Sequence, residues 1–274
     1  MDFSIFNNKY VIKGKLTVLT ALHIGSGKEK DGHDAPFMSD EDGLFYIPGS
    51  SFRGYLSTKL ERILEKENNF ELIEKNTGKS MNMADVKLLF GYTNLDSEKD
   101  ENIIRRVKEK LNIKKELETT KKLSLQEEAK EFNSMAGRIH ISDMIIESEV
   151  KEIKRDGIKI DRNTGATEEK GKFDYDVIPS GSKFNFTIEI ENVEDYQLEL
   201  LGLALKDMVE DGDLFGGKLS RGIGKCIILK KDLKIEYVDS KNKEALKDYI
   251  FKKKMLTKDI SSLFDIKNID LKLK

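Results

Sequence analysis

The densest run of reactive side chains is residues 23–37, HIGSGKEKDGHDAPF, with two histidines, two aspartates, two lysines, a glutamate and three glycines. Three chemistries are open to it. A phosphate-binding loop is excluded, because Leu22 stands where its first glycine belongs and Lys28 is followed by Glu29 rather than a magnesium-ligating Ser or Thr. A zinc site on His23, His33 and Asp34 fits no familiar ligand spacing, and a lone histidine at a strand end is more often structural. The third is a loop presenting the acids Glu29, Asp31 and Asp34. Most loop acids are simply solvated. Asp34 differs because Pro36 restricts Ala35 to an extended backbone, which places Asp34 more firmly than the acids before it. A carboxylate so placed can hold a hard divalent ion or orient an attacking hydroxyl.

Two further segments have the makings of a phosphate grip. PGSSFRG, residues 48–54, reads as a helix start with free backbone N–H groups, Ser50, Ser51 and Arg53. A helix merely capped by Ser50 or Ser51 accounts for it equally well. LFGGKLSRGIGK, residues 214–225, has four glycines interleaved with Lys218, Ser220, Arg221 and Lys225. It is not a dinucleotide fingerprint. A glycine-rich turn is the plain account, and the interleaved cations favour contact with a phosphate backbone. A fourth segment, residues 155–184, has hairpin-turn chemistry at IDRNTG and carries Ile158, Ile160, Phe173 and Tyr175 on an otherwise polar projection. Such a finger can pack on a neighbouring subunit or wedge between bases.

The elements that must position these groups follow from periodicity. In residues 10–25, Ile12, Leu16, Val18, Leu22 and Ile24 occupy even positions, as in a strand with one buried face. LFYIP is a short strand. Phe52, Tyr55, Leu56, Leu60, Ile63 and Leu64 share one helix face. A long strand is expected from Gly137, an alternating one through Phe184, Phe186, Ile188 and Ile190, a helix over YQLELLGLALKDMVEDG, and a last strand over GKCIILKKDLKIEYV. The order strand, helix, strand, strand, helix, strand predicts an α+β fold with a ferredoxin-like βαββαβ core, an arrangement shared with RNA-recognition folds. One domain over 1–274 is expected, its core at about 10–65 and 135–238. A mostly helical insertion at 66–134, a protruding hairpin at 155–182 and a Lys-rich helical tail at 239–274 decorate that core.

Composition narrows the class. Charged residues make up 36% of the 274, against about 25% in typical soluble chains. Acids and bases nearly cancel to a formal net charge of −2, so nucleic-acid binding must rest on local basic patches. The single Cys226 excludes an internal disulfide framework. The first residues lack a signal-peptide layout and no apolar run is long enough for a bilayer, so a cytoplasmic protein with no membrane partner is expected.

In this order HIGSG, GHDAPF, YIPGSSFRG, LFG at 89–91, GRIHISD, GIKIDRNTG and FGGKLSRGIGK span most of residues 10–230. Together they resemble the RAMP superfamily, specifically the repeated backbone subunits of type III CRISPR effector complexes. The resemblance implies an antiviral subunit whose copies form a filament on CRISPR guide RNA beside other effector-complex subunits, and which meets complementary target RNA. It implies guide-RNA contacts at His23, Ser50, Ser51, Arg53, Lys218, Ser220, Arg221 and Lys225. The hairpin corresponds to the family's base-displacing thumb, through Ile158, Ile160 and Arg162. Asp34 matches the aspartate of members that cut target RNA with a divalent metal (Mg or Mn, not permanently bound). Non-catalytic RNA binding and metal-independent guide-RNA processing are the alternatives. Two departures mark a divergent branch: Gly91 and Gly137 are far apart in sequence, and the hairpin lacks a Pro-Arg element.

Overall fold

The period-two alternation of residues 10–18 becomes β1 (Asn8–Val18) in the computed structural model, which describes residues 5–27, 35–66, 68–93, 103, 105, 107 and 134–274. There follow β2 (Tyr46–Ile47), α1 (Gly49–Ile63), β3 (Phe70–Glu74), β4 (Lys79–Ser80), α2 (Met83–Phe90), β5 (Gly91–Tyr92) and β6 (Met135–Ala136). Next come β7 (Ile139–Ile141), β8 (Met144–Ile146), β9 (Ile153–Ile160), β10 (Thr167–Val177), β11 (Lys183–Glu191) and α3 (Asp195–Glu210). The chain continues through β12 (Asp213–Leu214), β13 (Lys225–Ile228), β14 (Lys234–Asp239), α4 (Lys243–Lys252), β15 (Leu256–Lys258), α5 (Ser261–Phe264) and β16 (Ile269–Leu273).

On one side β1 pairs antiparallel with β11, from Lys9 opposite Glu191 to Thr17 opposite Lys183. On the other it takes β14 along Asn8–Lys13 and β13 along Leu16–Val18. The outer edge of β11 is shared by β7 and β8. The resulting order is β13/β14, β1, β11, β7/β8, all antiparallel, with β12, β2 and β15 extending the sheet. Helices α1 and α3 cover one face. Ile12, Leu16, Phe184, Phe186 and Ile188 pack there against Phe52, Leu56, Leu60, Leu201 and Leu205. The other face is a charge ladder in which Lys9 meets Glu189 and Glu191, Lys13 meets Glu236, and Lys15 meets Glu147.

Several expectations are corrected. The long strand from Gly137 breaks into β7, β8 and β9, and the last strand is split by a 3-10 turn at Lys230–Asp232. The described part of the insertion is not mostly helical. It holds the β3–β4 hairpin and α2, and residues 94–102, 104, 106 and 108–133 lie outside the described residues. Nor is the tail purely helical: β15 extends the main sheet beside β14, and β16 pairs with β3 to make a second sheet. Long-range pairing overrode local helical pattern in both places. The tail is held by buried Glu199 of α3, whose carboxylate accepts the N–H groups of Lys267 and Asn268.

The wide sequence gap between Gly91 and Gly137 closes in space. β5 pairs with β6, and a Cβ on Gly91 would lie 2.4 Å from the Gly137 nitrogen. The two ends of that interval meet at one glycine-on-glycine contact that no side chain could enter, and Val107 within it is buried beside Ala84, Leu88 and Tyr92.

Candidate functional site

The start of α1 is fixed from outside the helix. Neither Ser50 nor Ser51 caps it. Pro48 holds the N-cap position, and the Asp143 carboxylate accepts the Gly49 N–H at 2.8 Å. Gly49 is obligatory, since a Cβ there would lie 2.1 Å from the Ile141 carbonyl oxygen. With Phe52, Leu56 and Leu60 buried, the neighbouring stripe Ser51, Tyr55, Thr58 and Arg62 is left to face a cleft.

The glycine-rich segment makes the opposite wall. Phe215 N–H bonds to Gly224 O at 2.8 Å and closes a loop in which Gly216, Lys218, Gly222 and Gly224 all have positive φ. Its Gly217 N–H donates to the His23 carbonyl at 2.8 Å, and Gly224 N–H to that of Ala21 at 2.7 Å. A Cβ on Gly216 would lie 2.7 Å from the His23 oxygen, so the close approach depends on glycine. The cleft between, about 690 Å³, is lined by Gly25, Ser51, Gly54, Arg62, Gly216 and Leu219 among others.

Tyr55, Lys59 and Asp213 cross its floor. Tyr55 Oη donates to Asp213 Oδ2 at 2.6 Å, and Lys59 Nζ lies 2.6 Å from that oxygen and 2.7 Å from Asp207 Oδ2. Burial alone would raise the Asp213 carboxyl, but hydrogen bonds from Lys59, Tyr55 and the Leu214 N–H outweigh it and hold the group below the usual carboxylate range. Lys59 is thus already neutralised. Arg62 is exposed on the same wall and pairs with no carboxylate among the described residues. Sequence reasoning passed over Arg62, Lys59 and Asp213. The 51, 55, 58, 62 spacing beside the apolar face was the available signal.

The other anticipated residues scatter around this cleft. His23 is 4% exposed, with Nδ1 2.7 Å from the Asp176 carbonyl and its ring edge-on to Tyr175 at 5.6 Å. Lys218 lies over the rings of Phe173 and Tyr175, 5.6 Å from each centroid, and Arg221 lies over Phe173 at 5.1 Å. Ser220 and Lys225 are exposed on the loop and at the start of β13. Ser50 is exposed, while Arg53 turns toward α2 with its guanidinium 6.0 Å from the Phe90 centroid.

The β9–β10 hairpin rises from the same place. At its turn the Asp161 carboxylate accepts the Asn163 and Thr164 N–H groups, which lowers its pKa. Ile158 and Ile160 are each 54% exposed, and Arg162 is exposed at the tip. Gly157 lets the Phe173 ring cross β9, because a Cβ there would lie 2.3 Å from the ring. At the root, Tyr175 and Val177 pack with Ala21 and Ile223.

Asp34, like Lys28 through His33, lies outside the described residues. Its flanks are fixed. Ser26 N–H bonds to Pro36 O at 3.1 Å, Met38 N–H to Ile24 O at 2.9 Å, and Asp176 N–H to Ala35 O at 3.0 Å. The segment therefore departs and returns between the His23 turn and the hairpin root. Among the described residues no three His, Cys, Asp or Glu side chains gather into a metal cage. Cys226 is buried, which pushes its thiol up to about 12 and removes it as a nucleophile.

Comparison with known proteins follows the same residues. The model of the RAMP superfamily matches residues 15–227. The chain is 25% identical over 240 residues, 86% of its length and 84% of the relative's, to the CRISPR system Cms endoribonuclease Csm3 of Methanocaldococcus jannaschii. It is also 38% identical over 68 residues, 23% of this chain and 28% of the relative, to the protein of the same name from Methanothermobacter thermautotrophicus.

Proposed function

The chain belongs to the RAMP superfamily, and from that premise we propose that it is a guide-RNA-binding backbone subunit of a type III CRISPR effector complex that also cuts complementary target RNA. The observation that carries the reading is the convergence of three segments far apart in sequence, the His23 turn, the α1 start and the glycine-rich loop, around one cleft beside which the Asp34 segment departs. Ser51 and Arg62 line a groove suited to a phosphodiester backbone, Arg62 supplying the charge and Ser51 a hydroxyl. The paired lysines of the open sheet face make that face a poor alternative, because their charge is already matched by glutamates.

In this reading the strand order β13/β14, β1, β11, β7/β8 with α1 and α3 on one face is a ferredoxin-like core. The β9–β10 hairpin is a thumb, and its exposed Ile158, Ile160 and Arg162 displace a base. Residues 1–274 form one domain, its copies line up along the guide beside other subunits, and the complex works in the cytoplasm. Among the described residues no helix is long and apolar enough to cross a membrane.

Cleavage proceeds by attack of a ribose 2′-oxygen on the adjacent phosphorus, the 2′-hydroxyl proton passing to water and water returning one to the leaving oxygen. The P–O5′ bond breaks, the 5′-oxygen leaves as a hydroxyl after taking up a proton, and a 2′,3′-cyclic phosphate remains. Asp34 orients the attacking 2′-hydroxyl or would hold a divalent ion, which would supply charge stabilisation at the reacting phosphodiester. Buried His23 positions the site by joining the strand turn to the hairpin root. The test is the nucleic acid that travels with the purified protein. An ultraviolet absorbance ratio above that of protein alone, lost on ribonuclease but not deoxyribonuclease treatment, is expected. Nucleic-acid-free protein that also ignores added RNA overturns the reading.

A further inference from the structure

The tail beyond the family match carries a surface the cleft does not use. Residues 241–258 hold seven lysines against Glu244 and Asp248, in a chain whose formal net charge is −2. On α4, Lys243, Lys247 and Phe251 recur at intervals of four and form one outward stripe with Ile250 beside it. The inward side is spoken for, with Ala245 buried and Tyr249 stacked on Phe6 at 5.8 Å. Phe251 is 75% exposed and contributes little to the fold.

Helix stability does not explain the charges. Lys252 lies at the C-terminal end, where a cation suits the helix dipole, and it pairs with Asp248 at 2.8 Å. Lys241 and Lys243 stand at the opposite end, where the dipole disfavours them, and among the described residues Lys243, Lys247 and Lys254 form no salt bridge, Asp248 acting on Lys247 and Lys254 only from beyond contact distance. Lys253, at φ 55°, turns the chain so that Lys254 follows the helix end. A ring in water beside unpaired cations matches a ligand that is polyanionic and has flat faces to stack. Unpaired bases meet that requirement; a duplex hides them.

We propose that the outer stripe of α4 and the turn after it form a second contact for single-stranded RNA, with Phe251 as the stacking platform and Lys243, Lys247 and Lys254 on phosphates. The contact goes beyond the cleft and is independent of it. The two outward apolar side chains give little area for a membrane, which makes lipid the competing outcome.

The test measures anisotropy of a fluorescein-labelled, mixed-sequence single-stranded RNA with the full chain across a salt series. Phe251→Ala should weaken binding about 5- to 20-fold. Lys243→Gln, Lys247→Gln and Lys254→Gln combined should reduce the salt slope by about 2. Ultraviolet crosslinking should place RNA on peptides spanning 248–258, and thermal unfolding should be unchanged because the side chains are exposed. Wild-type affinity and slope in both α4 variants, with loss in Arg62→Gln, overturns the proposal and leaves the cleft reading standing. Loss in the α4 variants alone upholds it against the cleft. No RNA binding by the unaltered chain sinks both. Unchanged RNA binding with lost binding to phosphatidylglycerol vesicles overturns it in favour of a membrane contact.

Discussion

The Arg221 guanidinium lies 5.1 Å from the centroid of the Phe173 ring, so the glycine-rich loop and the hairpin root are held together by a cation–π contact. Lys218 adds a second cation over the same ring. The two side chains that the sequence offered as phosphate ligands thus also set where the hairpin stands.

Phe173→Leu keeps the bulk and removes the π face. About 0.5–1 kcal/mol of local stability should be lost. Amide exchange should quicken in 153–177 and stay unchanged in β1 and β11. Unaltered exchange at the hairpin would show that the contact holds nothing.

Asp34→Ala should reduce target-RNA cutting in magnesium about a hundredfold or more while leaving guide binding intact. The measurement is cleavage by the assembled complex, with a chelator control. Continued cutting at the same positions would mean the catalytic group lies elsewhere.

Asp143→Ala should expose the cost of uncapping α1, about 1 kcal/mol, seen as a lower unfolding midpoint. Gly49→Ala should cost more, because its Cβ would meet the Ile141 carbonyl oxygen at 2.1 Å and the backbone must move. Ser50→Ala and Ser51→Ala should leave stability nearly unchanged. A larger loss in the serine variants would restore them as caps.

Asp213→Asn tests the tie across the cleft floor. The folded carboxyl titrates below its ordinary value, so its contribution is complete above the unfolded value and is lost as pH falls through the folded one. The stability gap between wild type and variant should be largest at neutral pH and shrink as pH falls below the ordinary carboxylate value of about 3.9. A gap that does not change with pH would remove the ion pair as its cause.

Much of the fold was legible because its signals are local. Alternation marked β1 and β11, the apolar stripe marked α1, and the positive-φ glycines marked the loop after β12. The motif order was enough to point to the family. Less of the site was legible. His23 was identified by its motif, but burial against Tyr175 is a property of two strands meeting. Arg62 carries no motif and became visible only as part of a cleft wall.

By itself, the sequence determined β1, β11, α1 and α3 and which loops carry charge, since those follow from period, propensity and turn chemistry within a few residues. Only the tertiary structure decided that Asp143 rather than a serine caps α1, that Gly91 meets Gly137, that Lys218 and Arg221 rest on Phe173, and that residues 256–258 and 269–273 of the tail return as strands. Each depends on a partner remote in sequence, and its free energy exists only once the chain has closed the loop between them.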